Sequence, residues 1–281
     1  MAMIAIMQGR LVPPVDGRFQ AFPRDNWPEE FPRAAAAGVG GIEWIFDCYG
    51  EDVNPIMTAA GVSRIKELGA EHGVAVRSVC ADYFMERPFI ASPAERAERL
   101  ETLGHLLEMC AALGARRVVL PFVDQSSMRT PEDQSLGAEV LRRMLPPAER
   151  TGVELHLETD LDPDAFRRFL SLLPHPLVKV NYDSGNSASL GYNPTEELEA
   201  YGDRVGSVHI KDRIRGGSTV PLGTGDTDFE GLFAGLRGLS YSGDFVLQVA
   251  RGVAGEEVEW ARQNLDFVES YLRVRGESAT G

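Results

Sequence analysis

Eight short apolar runs alternate with eight helix-patterned stretches from one end of the chain to the other, and that alternation narrows the fold more than any other feature. The last four runs are Val153–Glu158, Leu177–Asp183, Val205–His209 and Phe245–Gln248. Each is rich in Val and Leu, as a strand buried on both faces must be. Their final residues lie 25, 26 and 39 positions apart. The first two intervals hold one strand and its returning helix; the third carries an extra Gly-rich segment. Eight alternations favour a closed (β/α)8 TIM barrel over an open doubly wound sheet, and 281 residues fit one such domain spanning 1–281.

The first four strands fall at Met3–Met7, Gly41–Phe46, Val74–Cys80 and Arg117–Phe122. Helices are expected over Pro28–Ala37, Ser63–His72, Ser92–Leu113, Thr130–Arg150, Pro163–Leu172, Pro194–Tyr201, Phe229–Leu236 and Glu257–Arg273. Ser92-Pro-Ala-Glu95 has the capping-box pattern with Pro at the first helical position, and Thr130-Pro-Glu-Asp133 is a second start signal. Gly38 and Gly114 stop two of the helices. Gly9 stands alone after the first strand, so no dinucleotide fingerprint is present. The small polar tail, 275–281, is expected to fray.

A net charge of −14, spread along the chain, argues against a nucleic-acid partner, which selects for a basic footprint. Cys48, Cys80 and Cys110 are widely spaced and odd in number, which suits a reducing compartment and forms no zinc or redox motif. No run approaches the roughly 20 apolar residues of a membrane span, and the N-terminus lacks the basic lead of a signal peptide. A cytoplasmic location is expected, with no membrane partner and with homo-oligomerisation open.

In a parallel barrel the C-terminal strand ends converge on one face, where catalytic groups gather. Glu158, Asp183, His209 and Gln248 end four successive strands there and offer three oxygen donors and one imidazole, a shell for a divalent cation. Singly, each has an ordinary explanation: a loop carboxylate, a turn cluster at Asn181-Tyr-Asp-Ser-Gly-Asn186, a core histidine, a strand-end amide. The shared register is the signal. Gln8, Arg10, Glu43, Asp47, Asp82 and Asp124 should face the same mouth, and Glu43, inside an apolar strand, needs a partner. After the seventh strand, the segment from Arg213 to Phe229 holds four glycines and two arginines, a composition suited to a lid that binds anions or hydroxyls.

At Leu157-Glu158, Asp183-Ser-Gly-Asn186, Val208-His-Ile-Lys-Asp212 and Val220-Pro-Leu-Gly-Thr-Gly225 the chain resembles the xylose-isomerase-like TIM barrels, the sugar (phosphate) isomerase/epimerase superfamily. D-tagatose 3-epimerase and L-ribulose-5-phosphate 3-epimerase belong to it. Met7-Gln-Gly-Arg-Leu11, Gln20-Ala-Phe-Pro23 and Ile42-Glu-Trp44 extend the likeness toward the N-terminus. The resemblance implies metal ligation by Glu158, Asp183 and His209, with Gln248 standing where the epimerases carry a second Glu. It implies a substrate-binding role for Asn186, where epimerases often have His, and for one of Arg213 or Arg215. Gln8, Glu43 and Lys211 complete the expected substrate-binding set.

The chemistry expected is proton abstraction next to a carbonyl, with a divalent ion (Mn²⁺ or Mg²⁺, with Zn²⁺ or Co²⁺ as alternatives) stabilising the enediolate. The substrate is expected to be a small sugar or sugar phosphate. The catalytic residues expected are Glu158, as base, and Gln248. An amide can ligate a metal yet cannot act as a base, so Gln248 tilts the expectation toward 1,2-isomerisation, which needs one base. Epimerisation would require Glu43 or Lys211 at the far face. A dehydratase acting on a keto-sugar or keto-inositol would start from the same enolate, and a degenerate sugar-binding barrel would hold no metal. An endonuclease-type phosphodiesterase would need more histidines and a basic groove. Arg10, Arg213, Arg215 and Arg251 are the side chains able to neutralise a substrate phosphate.

Overall fold

All eight expected strands form, and they close into one ring. The structure, a computed structural model, describes residues 2–273; the tail expected to fray, 275–281, lies outside them. The ring strands are β1 (Ile4–Met7), β2 (Gly41–Ile45), β3 (Ala75–Cys80), β4 (Arg117–Phe122), β5 (Glu154–Thr159), β6 (Val178–Asp183), β7 (Val205–Ile210) and β10 (Asp244–Leu247). All pairings are parallel, and β1 closes the barrel by pairing with both β2 and β10 (Ala5 opposite Gly41 and Val246). Every residue of β4 and of β10 is buried, which accounts for the apolar runs that follow Arg117 and Asp244 at their starts.

The returning helices are α1 (Glu30–Ala37), α2 (Ala59–His72), α4 (Pro93–Leu113), α5 (Pro131–Thr151), α6 (Pro163–Ser171), α8 (Pro194–Tyr201), α9 (Phe229–Gly238) and α10 (Glu257–Arg273). Capping boxes at Ser92 and Thr130 start α4 and α5, and Gly114 ends α4 in a left-handed conformation at φ 91°. α2 begins at Ala59 rather than Ser63, because Thr58 accepts the Gly61 N–H as its cap.

Two short helices depart from the expected pattern: α3 (Tyr83–Glu86) and α7 (Ser184–Leu190). The cluster read as a turn after Asp183 is a helix start, since Asp183 Oδ1 accepts the Asn186 N–H at 2.8 Å. The Gly-rich segment is likewise not a plain loop. β8 (Asp212–Arg213) pairs antiparallel with β9 (Thr219–Val220), and the buried Asp212 carboxylate ties the ribbon's exit down through Gly225 N–H and Thr227 N–H. At the opposite end of the barrel Asp244 accepts from Met3 N–H and from Arg117, each at 3.0 Å, fastening three strands together.

Candidate metal centre and active-site cavity

Strand register sets Asp183 opposite His209 on β6–β7, and on β5–β6 Leu157 pairs with Val180, which leaves Glu158 two positions short of the level of Asp183 and within reach of it through its longer side chain. One ligand atom from each of the three lies within 4.8 Å of the others, and all three residues are buried. His209 Nδ1 stands 3.4 Å from Glu158 Oε2 and 4.0 Å from Asp183 Oδ2. That nitrogen is buried and has no hydrogen-bond partner. A buried imidazole nitrogen left bare between two carboxylates is what a ligand set looks like, because such a group is otherwise satisfied. Two hard oxygens and an imidazole fit a divalent cation.

The other ring nitrogen explains Glu43. It was expected at the substrate; instead it is fully buried behind His209, with Oε2 2.7 Å from Nε2. Burial pushes the Glu43 carboxyl up, but His209 and then Arg117 outweigh it and hold the carboxyl below its ordinary value. For His209, burial works against the charge, while Glu43 and Glu158 raise its pKa to about 10. A carboxylate on the far nitrogen fixes the ring and makes the near nitrogen a better donor.

Glu158 is held from below. Asn181 donates to its Oε2 at 2.8 Å and Asn186 to its Oε1 at 2.7 Å. Asn181 accepts from Ser207, which meets His156, which meets Glu154. Burial raises the Glu158 pKa, yet His209, Lys211 and Asn181 together bring it below the usual carboxylate value. Asp183 goes the other way: burial dominates over the nearby Lys211, and its pKa is raised. Sequence reasoning passed over Asn181, Ser207 and His156 as site residues. The signal was available, since each sits two residues before a ligand and so faces the same interior one layer down.

Above the triad lies a cavity of about 220 Å³ whose lining includes Glu158, Gln248, Asn186, Lys211 and Arg213. The Lys211 ammonium bridges Gln248 Oε1 (3.1 Å), Asn186 Oδ1 (3.3 Å) and Asp183 Oδ2 (3.4 Å). Gln248 thus meets the triad through Lys211, and its Nε2 donates to Gln20, which donates to Asp82. Asp47, Asp82 and Asp124 line the same cavity, as expected of the mouth. Four further side chains expected at the mouth or the substrate lie off this cavity, while Arg213 lines it. Gln8 is fully buried away from the cavity, its side-chain oxygen accepting the Ile45 N–H between β1 and β2. Arg215 lies against Gly191, where a Cβ would come within 2.7 Å of its guanidinium. Arg10 is buried on the Phe19 and Val249 carbonyls, and Arg251 serves Phe19 and Val12.

A closed ring of eight parallel strands with buried Glu, Asp and His gathered at its C-terminal mouth defines a TIM barrel with a candidate metal centre. The chain belongs to the xylose isomerase-like TIM barrel family, whose model matches residues 31–271. It is 27% identical over 272 residues to SgbU of Escherichia coli (strain K12), which bears the provisional name of an L-ribulose-5-phosphate 3-epimerase; the match covers 89% of this chain and 93% of that one. A solved structure of L-ribulose 3-epimerase superposes with a TM-score of 0.76 at 18% identity, covering 98% of this chain and 95% of the other. The IOLI protein, solved with a bound zinc atom, gives 0.76 at 16% identity over 96% and 99%. At those identities the two structures speak for the fold. No helix among the described residues is long and apolar enough to cross a membrane.

Proposed function

We propose that this chain is a divalent-metal-dependent epimerase or isomerase of small sugars, in which Glu158 removes a proton from the carbon next to a carbonyl. The observation that carries the reading is the bare, buried Nδ1 of His209 facing the Glu158 and Asp183 carboxylates. A divalent ion held there by Glu158, Asp183 and His209 would supply Lewis acidity to neighbouring carbonyl and hydroxyl oxygens. The oxygen-rich donor set favours Mn²⁺ or Mg²⁺, with Zn²⁺ and Co²⁺ as alternatives. Glu158 has the protonation state a base needs, its net shift being downward. Asn181 and Asn186 hold its two oxygens in place.

Gln248 cannot accept the proton. With Glu43 sequestered behind His209, Lys211 is the ionisable side chain that touches position 248. In an epimerisation, the reading that the curated relative favours, Lys211 would return the proton at the opposite face. In a 1,2-isomerisation Glu158 alone would move it between adjacent carbons, and the amide at 248 favours this second reading. One experiment decides. The metal-loaded protein is incubated with ketoses in D₂O and followed by NMR. Deuterium at C3 marks epimerisation and at C1 isomerisation, and Glu158→Gln should lower either rate by at least about 100-fold. A metal-loaded protein that exchanges no ketose proton, or a Glu158→Gln variant with undiminished exchange, ends the proposal.

A further inference from the structure

We infer that the substrate of this cavity is an uncharged polyhydroxyl ketose that carries no phosphate ester. The inference rests on the proton-abstraction reading above and names its substrate class.

The ring order sets the geometry. β5, β6 and β7 carry the triad on one arc of the mouth, while β2, β3 and β4 close the other side. The cavity reaches from Glu158 to residues on that other side, so a sugar whose carbonyl end meets Glu158 has room for its remaining carbons among them. The side chains waiting there are acidic: Asp47 after β2, Asp82 and Glu86 after β3, and Asp124 after β4 all line the cavity. No Lys or Arg from those three strands or the segments that follow them lines it.

The cavity's two cations, Lys211 and Arg213, stand on the triad's own arc and are already engaged. Lys211 bridges Asp183, Asn186 and Gln248; Arg213 bonds Asn186 Oδ1 at 2.9 Å and the Gly217 carbonyl at 2.7 Å. Arg129, outside the lining, donates to the Asp124 carbonyl at 3.3 Å, and two more arginines near the acidic side are held elsewhere. Arg18 lies over the Tyr49 ring at 3.5 Å, and Arg87 bonds Glu51 and Tyr83. Neither lines the cavity.

Carboxylates accept hydrogen bonds and donate none, so they match the O–H groups of a polyol. A phosphate ester is mostly a dianion at neutral pH, and it brings that charge toward four carboxyl groups on a side of the lining that holds no Lys or Arg. Asp47 is the most committed of the four, since both its oxygens accept backbone N–H groups. Asp82 is less committed than Asp47: its partners are the Gln20 amide and the Cys80 thiol, and it faces the same space as Glu158.

The test compares free ketopentoses and ketohexoses with the terminal phosphate ester of each, using the metal-loaded full chain. Solvent deuterium exchange gives kcat/KM, and calorimetry with xylitol and xylitol 5-phosphate gives binding without turnover. The free ketose should exceed its ester by roughly 100-fold in kcat/KM, and xylitol should bind more tightly than its phosphate. An Asp82→Asn/Glu86→Gln double variant should shrink that preference to about tenfold or less. An ester turned over as well as the free sugar overturns the inference and leaves the proton-abstraction reading standing. Preference for a cationic amino sugar overturns the assignment of an uncharged substrate, and a discrimination unmoved by the double variant overturns the role of the acidic side. Exchange with no ketose at full metal occupancy overturns both readings together.

Discussion

His209 and Glu43, 166 residues apart in sequence, form the most consequential side-chain pair in the molecule. His209 stands near the end of β7 and Glu43 in the middle of β2. Together, fully buried and 2.7 Å apart, they leave one imidazole nitrogen aimed at Glu158 and Asp183 with nothing else to bond. Partners of this kind tune a ligand nearly as strongly as the ligand set itself. Glu43→Gln should therefore weaken divalent-metal affinity by about tenfold or more, although Glu43 touches neither the cavity nor, as proposed, the ion. Competition against a fluorescent chelator measures this, with Asp183→Asn as the reference for a lost ligand. Unchanged affinity in Glu43→Gln would show that the pair serves packing alone.

Among the elements, α1 and the turn after β1 depend on a single carboxyl. Glu30, the first residue of α1, is fully buried and accepts from Gly9 N–H at 2.6 Å and Leu11 N–H at 3.4 Å, while its other oxygen has no partner. Gly9 adopts φ +81°, and a Cβ there would press on the Ala21 carbonyl at 3.0 Å, so the turn is built for glycine. Burial raises the Glu30 pKa to about 7, against the lowering by those two N–H groups. The folded chain thus holds this proton more tightly than the unfolded one. Its stabilising contribution is complete below the ordinary carboxylate range and is lost as pH rises through about 7. Urea unfolding at pH 5 and pH 8.5 should show the wild-type chain losing more stability than Glu30→Gln, by on the order of a few kcal/mol. Equal losses would mean that Glu30 is ionised throughout.

For the whole molecule, the barrel separates stability from chemistry along its axis. At the end away from the triad, Arg117 and Asp244 form a buried pair joining β4 to β10, and Asp244 also accepts from Met3 N–H. Removing one partner of a buried pair leaves the other charge stranded, a loss of about 3–5 kcal/mol. Asp244→Ala should lower the urea midpoint accordingly while metal stoichiometry and affinity stay unchanged in the folded protein. A variant that folds normally but loses metal would break the separation of the two ends.

The sequence by itself determined the strands, their order and the three residues that gather at the candidate metal centre. Those depend on local pattern: a buried parallel strand must be continuously apolar, a helix must be capped, and a polar residue at the last strand position emerges at the mouth. Glu158, Asp183 and His209 were legible because three neighbouring strands repeat that arrangement. Even the supporting layer, His156, Asn181 and Ser207, was implicit in the two-residue period. Only the tertiary structure decided what crosses the ring. It set Glu43 of β2 behind His209 of β7, the Lys211 ammonium between Asp183 and Gln248, and Gln8, Arg10 and Arg215 away from the cavity. Long side chains can reach several neighbours, and which one they meet depends on the closure and stagger of all eight strands. No stretch of sequence short enough to read as a motif contains that information.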